Sequence, residues 1–267
     1  SEAAVGCVVK KRSERVYVAT KCGRQIQPHT NDGYQPEVLE KFVDSSLKNM
    51  GLETIDLIQL HCPPGDVYHR PEIFQLFEDL KAKGKIRNLG VSVEMVDEAL
   101  KAMEYENVTT IQIIFNMFRM KPAEDFFKKA KEKNVGVIVR VPLASGLLTG
   151  KFNEHTSFSK GDHRNFNRQG EAFDKGETFS GVPYDVGIEA VERLKMLFPE
   201  VKNLAPVALK WILQFDEVSC IIPGASRVDQ VHSNLTASKI PELTEEQNDQ
   251  IRKVYNHMIK PHVHHLW

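Results

Sequence analysis

Cysteine is scarce in this chain. Its four thiols, Cys7, Cys22, Cys62 and Cys220, are neither dense nor set at metal-ligand spacing, which excludes a disulfide scaffold and argues against a zinc site. Net charge is almost absent as well: 35 Lys and Arg stand against 36 Asp and Glu. No field therefore draws the chain to nucleic acid or to an anionic membrane, and a small-molecule partner is expected. Long hydrophobic runs are missing. The most apolar stretch, Val135 to Leu148, is interrupted by Arg140 and Pro142 and falls short of the roughly 18 to 20 residues that cross a bilayer. No charged leader with an apolar segment opens the chain, so a soluble protein of the reducing cytoplasm is the expectation. No Gly-x-Gly-x-x-Gly turn follows any candidate strand, which weighs against a doubly wound dinucleotide fold.

What is present alternates. Short β-branched runs at Val16 to Thr20, Asp56 to His61, Ile86 to Ser92, Thr110 to Phe115, Gly136 to Val141 and Val218 to Ile222 predict six strands. Amphipathic segments near 36 to 50, 71 to 83, 95 to 104, 122 to 133, 185 to 197 and 204 to 215 predict the helices between them. Pro36, Pro71 and Pro122 suit a first helical position, and Thr244-Glu-Glu-Gln has the form of a capping box. The pattern is that of βα units around a parallel sheet, in one domain over residues 1 to 267. Residues 143 to 183 form a segment without clear period, rich in Gly, Ser, Asn, Phe and charge. A loop of that length is normally functional or disordered, and a cofactor clasp is the reading adopted.

Polar residues at the C-terminal ends of barrel strands are the first candidates for chemistry. Lys21 and His61 stand there, and Gln59 shares a face with His61 by strand alternation. Taken singly, the lysine reads as a solvated strand end and the imidazole as a hydrogen-bonded core residue. A nucleophilic pair of His61 with Cys62 is not expected, because consecutive strand residues point to opposite faces. In Ile222-Pro-Gly-Ala-Ser-Arg227, Gly224 permits close approach and Ser226 suits a helix cap. Arg227, Gln230 and Asn234 fall on one helix face, beside an apolar stripe of Val228, Val231 and Leu235 expected to pack. A guanidinium there suits the 2′-phosphate that separates NADPH from NADH. Pro142 to Gly150 offers small residues and backbone donors suited to a pyrophosphate. His262, His264 and His265 are close in sequence but bring no carboxylate or thiol with them, so no metal is assigned. Phe166, Phe173 and Phe179 fit either adenine packing or loop anchoring.

Taken together, Leu143-Ala-Ser-Gly-Leu-Leu-Thr-Gly-Lys151, Ile222-Pro-Gly-Ala-Ser-Arg227 with Gln230 and Asn234, and the strand ends at Lys21 and His61 closely resemble the aldo-keto reductases. That resemblance implies an α/β fold of the (β/α)8 TIM-barrel type and an NADP(H)-dependent reduction of an aldehyde or ketone by hydride transfer. It implies catalytic roles for Lys21 and His61. It places Leu143, Ser145, Gly146 and Leu147 over the pyrophosphate, Ser92 and Gln112 at the nicotinamide carboxamide, and Gly224, Ser226, Arg227, Gln230 and Asn234 at the adenosine end. Val93 stands where many members have Asn, and Asn116 is either its substitute or a turn residue.

No Asp-Thr-Ala-x-x-Tyr-Gly motif occurs. The resemblance therefore implies that the segment carrying the family's acidic tyrosine, its aspartate and the first two strands is absent, leaving an open barrel edge that favours a homodimer or a covering partner. Tyr17, Tyr34 and Tyr68 are the local phenols that remain as substitutes, Tyr17 lying deeper in its strand. The alternative function is an NADPH-binding or regulatory protein without turnover, and the fallback is a barrel with unrelated phosphate chemistry.

Overall fold

Proline and capping signals set the helix starts. The computed structural model describes residues 1–267, and in it the helices α2 (Pro36–Met50), α3 (Pro71–Ala82) and α5 (Pro122–Glu132) begin on the expected prolines. A proline costs nothing there, since the first-turn N–H has no intrahelical acceptor. Leu39, Val43 and Met50 line the buried side of α2, and Gly51, at φ 60, closes it in the left-handed region. The first helix, α1 (Glu2–Lys10), was not among the expected elements: Val5, Val8 and Val9 disfavour helix locally, and Val5 and Val8 remain exposed. Packing holds it instead, for Gly6 lies so close to α2 that a Cβ would meet the Met50 carbonyl oxygen at 2.0 Å.

The chain divides into two compact units, Ser1–Gln112 with Lys129–Gly136, and Ile113–Lys128 with Val137–Trp267. In the first, β1 (Ala19–Cys22), β2 (Ile55–His61), β3 (Ile86–Ser92) and β4 (Val108–Ile114) pair parallel in sequence order. Helix α4 (Val96–Ala102) links the last two. Strand β1 starts three residues later than Val16. The Val18 N–H bonds the Asp56 carboxylate instead of a ladder carbonyl, and Tyr17 lies in solvent, 76% exposed, beneath the Arg15 guanidinium. One face of the four strands is apolar and buried, with Cys22, Ile58, Leu60, Leu89, Val91 and Ile111. The other carries Lys21, Gln59, His61, Thr110, Ser92 and Gln112.

In the second unit β5 (Gly136–Arg140) pairs parallel with β6 (Val218–Ile221). Around them run α6 (His163–Phe166), α7 (Tyr184–Met196), α8 (Ala205–Leu213), α9 (Val228–Leu235), α10 (Glu245–Val254) and α11 (Lys260–Val263). Phe115, Phe127, Trp211 and Phe215 form an aromatic cluster with ring centroids 4.7 to 5.9 Å apart. The Thr244 capping box closes as expected, with the Thr244 hydroxyl accepting from the Gln247 N–H at 3.2 Å and Gln247 Oε1 accepting from the Thr244 N–H at 2.9 Å. Residues 143 to 183 are largely ordered by short turns and aromatic contacts. The stripe of Val228, Val231 and Leu235 departs from expectation, being 72%, 46% and 62% exposed rather than packed. No helix is long and apolar enough to cross a membrane.

Helix α1 is stitched to its neighbours by one carboxylate. Glu2 accepts from Thr20 Oγ1 at 2.8 Å, Ser46 Oγ at 2.7 Å and Asn49 Nδ2 at 2.9 Å. Burial pushes its pKa up, but these donors, Asn49 foremost, outweigh it and hold it below the usual range. A carboxyl lowered on folding stabilises the protein above its unfolded pKa, about 4.3, and that contribution is lost as pH falls through the folded value. Glu2→Ala is expected to cost about 1 to 3 kcal/mol at pH 7 in urea unfolding. The deficit relative to the parent should shrink toward pH 3 to 4; an equal deficit at both pH values would remove the role of the charge.

Candidate active site

Strand register assembles the candidate site of the first unit. Lys21 pairs with Gln59, Gln59 with Gly90 and Gly90 with Thr110; one step further, His61 pairs with Ser92 and Ser92 with Gln112. Lys21 and His61 therefore share a face, about 7 Å apart along the strand direction. Both line one cavity of about 730 Å³, with Arg24, Gln25, Ser46 and Asn49 on its wall. Lys21 lies within β1 rather than just after it. An ammonium and an imidazole in one cleft can polarise a carbonyl oxygen and hold a proton beside it.

Ser92 and Gln112 do not line that cavity. Both are buried and bonded in a row: Gln112 Nε2 donates to Gln59 Oε1 at 3.2 Å, and Ser92 Oγ donates to Gln112 Oε1 at 3.5 Å. Cys62 joins this row. It follows β2 with φ 47, where strand alternation ends, and its thiol reaches Ser92 Oγ at 3.5 Å. Strand alternation therefore does not extend to Cys62. Cys22 stays on the apolar face, its thiol pushed up to about 12 by burial.

None of the three local phenols lines the cavity of Lys21 and His61. Tyr17 lies upstream of β1, exposed. Tyr34 and Tyr68 are buried rather than set on an open rim, and burial pushes both hydroxyls well above the usual phenol range. Asn116 is a turn residue: its amide donates to Val141 O and Ser180 Oγ, and its oxygen accepts from the Phe118 N–H. His264 sits between the Tyr255 hydroxyl at 2.9 Å and Glu124 at 3.1 Å.

A separate cavity of about 910 Å³ lies within the other unit. Leu143, Ser145 and Gly146 meet Gly224, Ser226, Gln230 and Asn234 on its walls, while Leu147 is buried behind them. Small residues keep the volume open, and nothing lies within 4 Å of a Cβ placed on Gly224. A cavity of this size with convergent polar groups fits a nucleotide. Ser226 is not the helix cap; Arg227 is, with extended backbone, so it precedes the helical face of Gln230 and Asn234. The Gln230 side-chain oxygen accepts from the Ser226 N–H at 2.7 Å. Arg227 does not line the cavity, and its guanidinium holds Asp229 at 3.1 and 3.2 Å.

Sequence reasoning missed several wall residues. Arg164 lines the cavity, gripped by Asp162 at 2.9 and 2.6 Å with its guanidinium carbon 4.6 Å from the Phe158 ring centroid. The Arg164 hydrogen bonds hold the Asp162 carboxyl at about 2. Asn203 and Glu177 also line it. Only Asp162, a cap for the short α6, left a trace in the sequence. Of the loop aromatics, Phe166 packs on Phe173 and Phe179 on Phe158 and Tyr184. They anchor the loop.

Backbone strain concentrates at this cavity. Val141, Ala144, Ser145, Phe179 and Ser180 all take φ between 47 and 57, the left-handed region that costs about 1 to 3 kcal/mol for such residues. Val141, β-branched, is the most unusual of them. Ser145 joins the two strained segments, donating to Glu177 O at 2.9 Å and accepting from the Phe179 N–H at 3.0 Å.

Comparison with known proteins places the chain in a family. The model of the Aldo/keto reductase family matches residues 1–256. The aldo-keto reductase yakc [NADP(+)] of Schizosaccharomyces pombe is 27% identical over 235 residues, 86% of this chain and 66% of that protein. The NADH-specific methylglyoxal reductase of Escherichia coli is 26% identical over 259 residues, 90% of this chain and 75% of that one. Among solved structures, the aldo-keto reductase AKR11C1 from Bacillus halodurans in its holo form superposes with TM-score 0.70 at 26% identity, covering 95% and 76% of the two chains. The glycerol dehydrogenase AKR11B4 from Gluconobacter oxydans gives 0.74 at 27%, covering 98% and 77%. The chain belongs to the aldo/keto reductase family, a family of oxidoreductases, and its six parallel strands match the TIM-barrel type of those structures. The family match begins at residue 1 and gives no support to the expected absence of an N-terminal segment.

Ser145→Ala removes both bonds between the strained segments and leaves the backbone angles unchanged. A loss of about 1 to 2 kcal/mol is expected in urea unfolding, with faster proteolytic cleavage between 153 and 173. Unchanged cleavage would show that the two segments hold without the hydroxyl.

Proposed function

We propose that this aldo/keto reductase binds a nicotinamide dinucleotide, NADPH in preference to NADH, and reduces an aldehyde or ketone to the alcohol. The observation that carries the chemistry is the shared placement of Lys21 and His61 on one strand face and in one cavity. The nucleotide-sized cavity walled by Ser145, Gly146, Gly224, Ser226, Gln230 and Asn234 supports the cofactor. When bound, the dinucleotide supplies a hydride. In this reading Lys21 sets a positive field at the carbonyl oxygen, and His61 orients that oxygen by a hydrogen bond and relays to the alkoxide the solvent proton that completes the alcohol. The wall residues hold phosphate through small side chains and backbone N–H groups, with Arg164 as a nearby cation.

Preference for NADPH rests on Arg227. The relatives divide on this point, one being named for NADP(+) and another NADH-specific. To meet a 2′-phosphate, Arg227 must exchange its carboxylate partner Asp229, which an exposed ion pair of low intrinsic strength permits.

A second reading, dinucleotide binding without turnover, is favoured by the burial of Tyr34 and Tyr68 and the exposure of Tyr17, none of which lines the cavity of Lys21 and His61.

Titration of NADPH fluorescence, followed by turnover of a simple aromatic aldehyde, separates the readings. Saturable binding with turnover is expected; binding alone selects the second, and no binding sinks both. Lys21→Met should leave NADPH affinity in place and lower turnover by about 10² to 10⁴. Arg227→Ala should weaken NADPH far more than NADH, and equal weakening of both would remove the 2′-phosphate role.

A further inference from the structure

Trp267 is one of two tryptophans and lies only 6% exposed. Its indole N–H donates to both carboxylate oxygens of Asp174, at 3.1 and 3.2 Å. The Arg119 guanidinium carbon stands 4.0 Å from the ring centroid on one side. Two glycines make room for the ring: a Cβ on Gly181 would meet it at 2.3 Å and one on Gly176 at 3.1 Å. The ring is thus enclosed by a segment with no side chains where it lies and a carboxylate where its one donor points.

That segment leads directly to the nucleotide-sized cavity. Asp174 also accepts from the Gly176 N–H at 2.7 Å, which caps the tight turn Lys175–Glu177. Glu177, at the end of that turn, lines the cavity and pairs with Arg140, and its carbonyl accepts from Ser145 Oγ. The strained turn Phe179–Gly181 follows, its Phe179 N–H on Ser145 and its Ser180 hydroxyl on Asn116. The path from Trp267 to the cavity wall therefore runs through Asp174, one capped turn and Ser145.

Resting on the dinucleotide reading above, we propose that Trp267 is a positioning residue for the cofactor: it fixes residues 174 to 181 so that Ser145 and Glu177 stand preorganised at the cavity wall. Trp267 does not itself line that wall. Its effect is carried by order in the loop, since a wall that must be organised at the moment of binding holds its ligand less tightly.

The test compares Trp267→Phe, which keeps a ring between Arg119 and the glycines but loses the N–H, with Trp267→Ala, which loses both. Dissociation constants and dissociation rates of NADPH and NADH are measured at a temperature where circular dichroism shows each variant folded. NADPH affinity is expected to fall about threefold in Trp267→Phe and tenfold or more in Trp267→Ala, through faster dissociation. A purely structural plug would lower the melting temperature and leave affinity in the folded protein unmoved. A third variant, Trp211→Phe, leaves Trp267 as the lone indole, and its emission should change when NADPH is added. Affinities within twofold of the parent in both Trp267 variants, with the parent binding normally, overturn this proposal alone. Failure of the parent to bind either dinucleotide overturns the functional reading and this one with it.

Discussion

Parallel register is the constraint on which the chemistry of the first unit depends. Side chains alternate along a strand with a period of two, so a slip by one residue would exchange its faces. Pairing of Lys21 with Gln59 and of His61 with Ser92 puts an ammonium and an imidazole on the same side of adjacent strands. The same pairing sends Leu60, Val91 and Ile111 into the core. Burial of that apolar face fixes the register, and the polar face follows. Behind these two half-buried groups, Gln59, Ser92 and Gln112 satisfy one another, so their burial carries little desolvation cost.

The second unit reaches order by another route. Val141 and, within residues 143 to 183, Ala144, Ser145, Phe179 and Ser180 lie in the left-handed region, a local cost that only surrounding bonds can offset. Ser145 and Asn116 supply them, each bridging separate turns. Aromatic contacts of Phe158, Phe179 and Tyr184 add apolar anchoring. The cavity wall is therefore defined by a few polar side chains of strained turns together with one face of α9, in contrast to the strand-built face of the first unit.

This contrast explains what the sequence disclosed. Periodic signals were legible: helices starting at Pro36, Pro71 and Pro122, the Thr244 box, and all six strands to within a few residues. Gln59 could be placed on the face of His61 because alternation is local information, whereas the shared face of Lys21 and His61 depends on inter-strand register. The features that escaped depend on partners distant in the chain. Helix α1 exists through Glu2 and Gly6 against α2, despite three valines. The late start of β1 follows from the Asp56 carboxylate taking the Val18 N–H. Cys62 changes side because of one backbone angle, and Arg227 caps α9 and turns to Asp229 rather than continuing the face of Gln230 and Asn234. Arg164 and Glu177 carry no local pattern at all; they reach the cavity only once the loop is folded.

Gly90 shows how strictly the polar row of the first unit is fitted. It sits between Gln59 and Thr110 in register, where a Cβ would meet Thr110 Oγ1 at 2.1 Å and Gln59 Cγ at 3.1 Å. Even a methyl group would push two adjacent strands apart beneath the lysine and the imidazole. In a saturation mutagenesis screen this position would therefore score as sharply intolerant while touching no ligand. Such a score would mark the spacing of the strands, and mistaking it for a reactive group would misplace the centre of the chemistry.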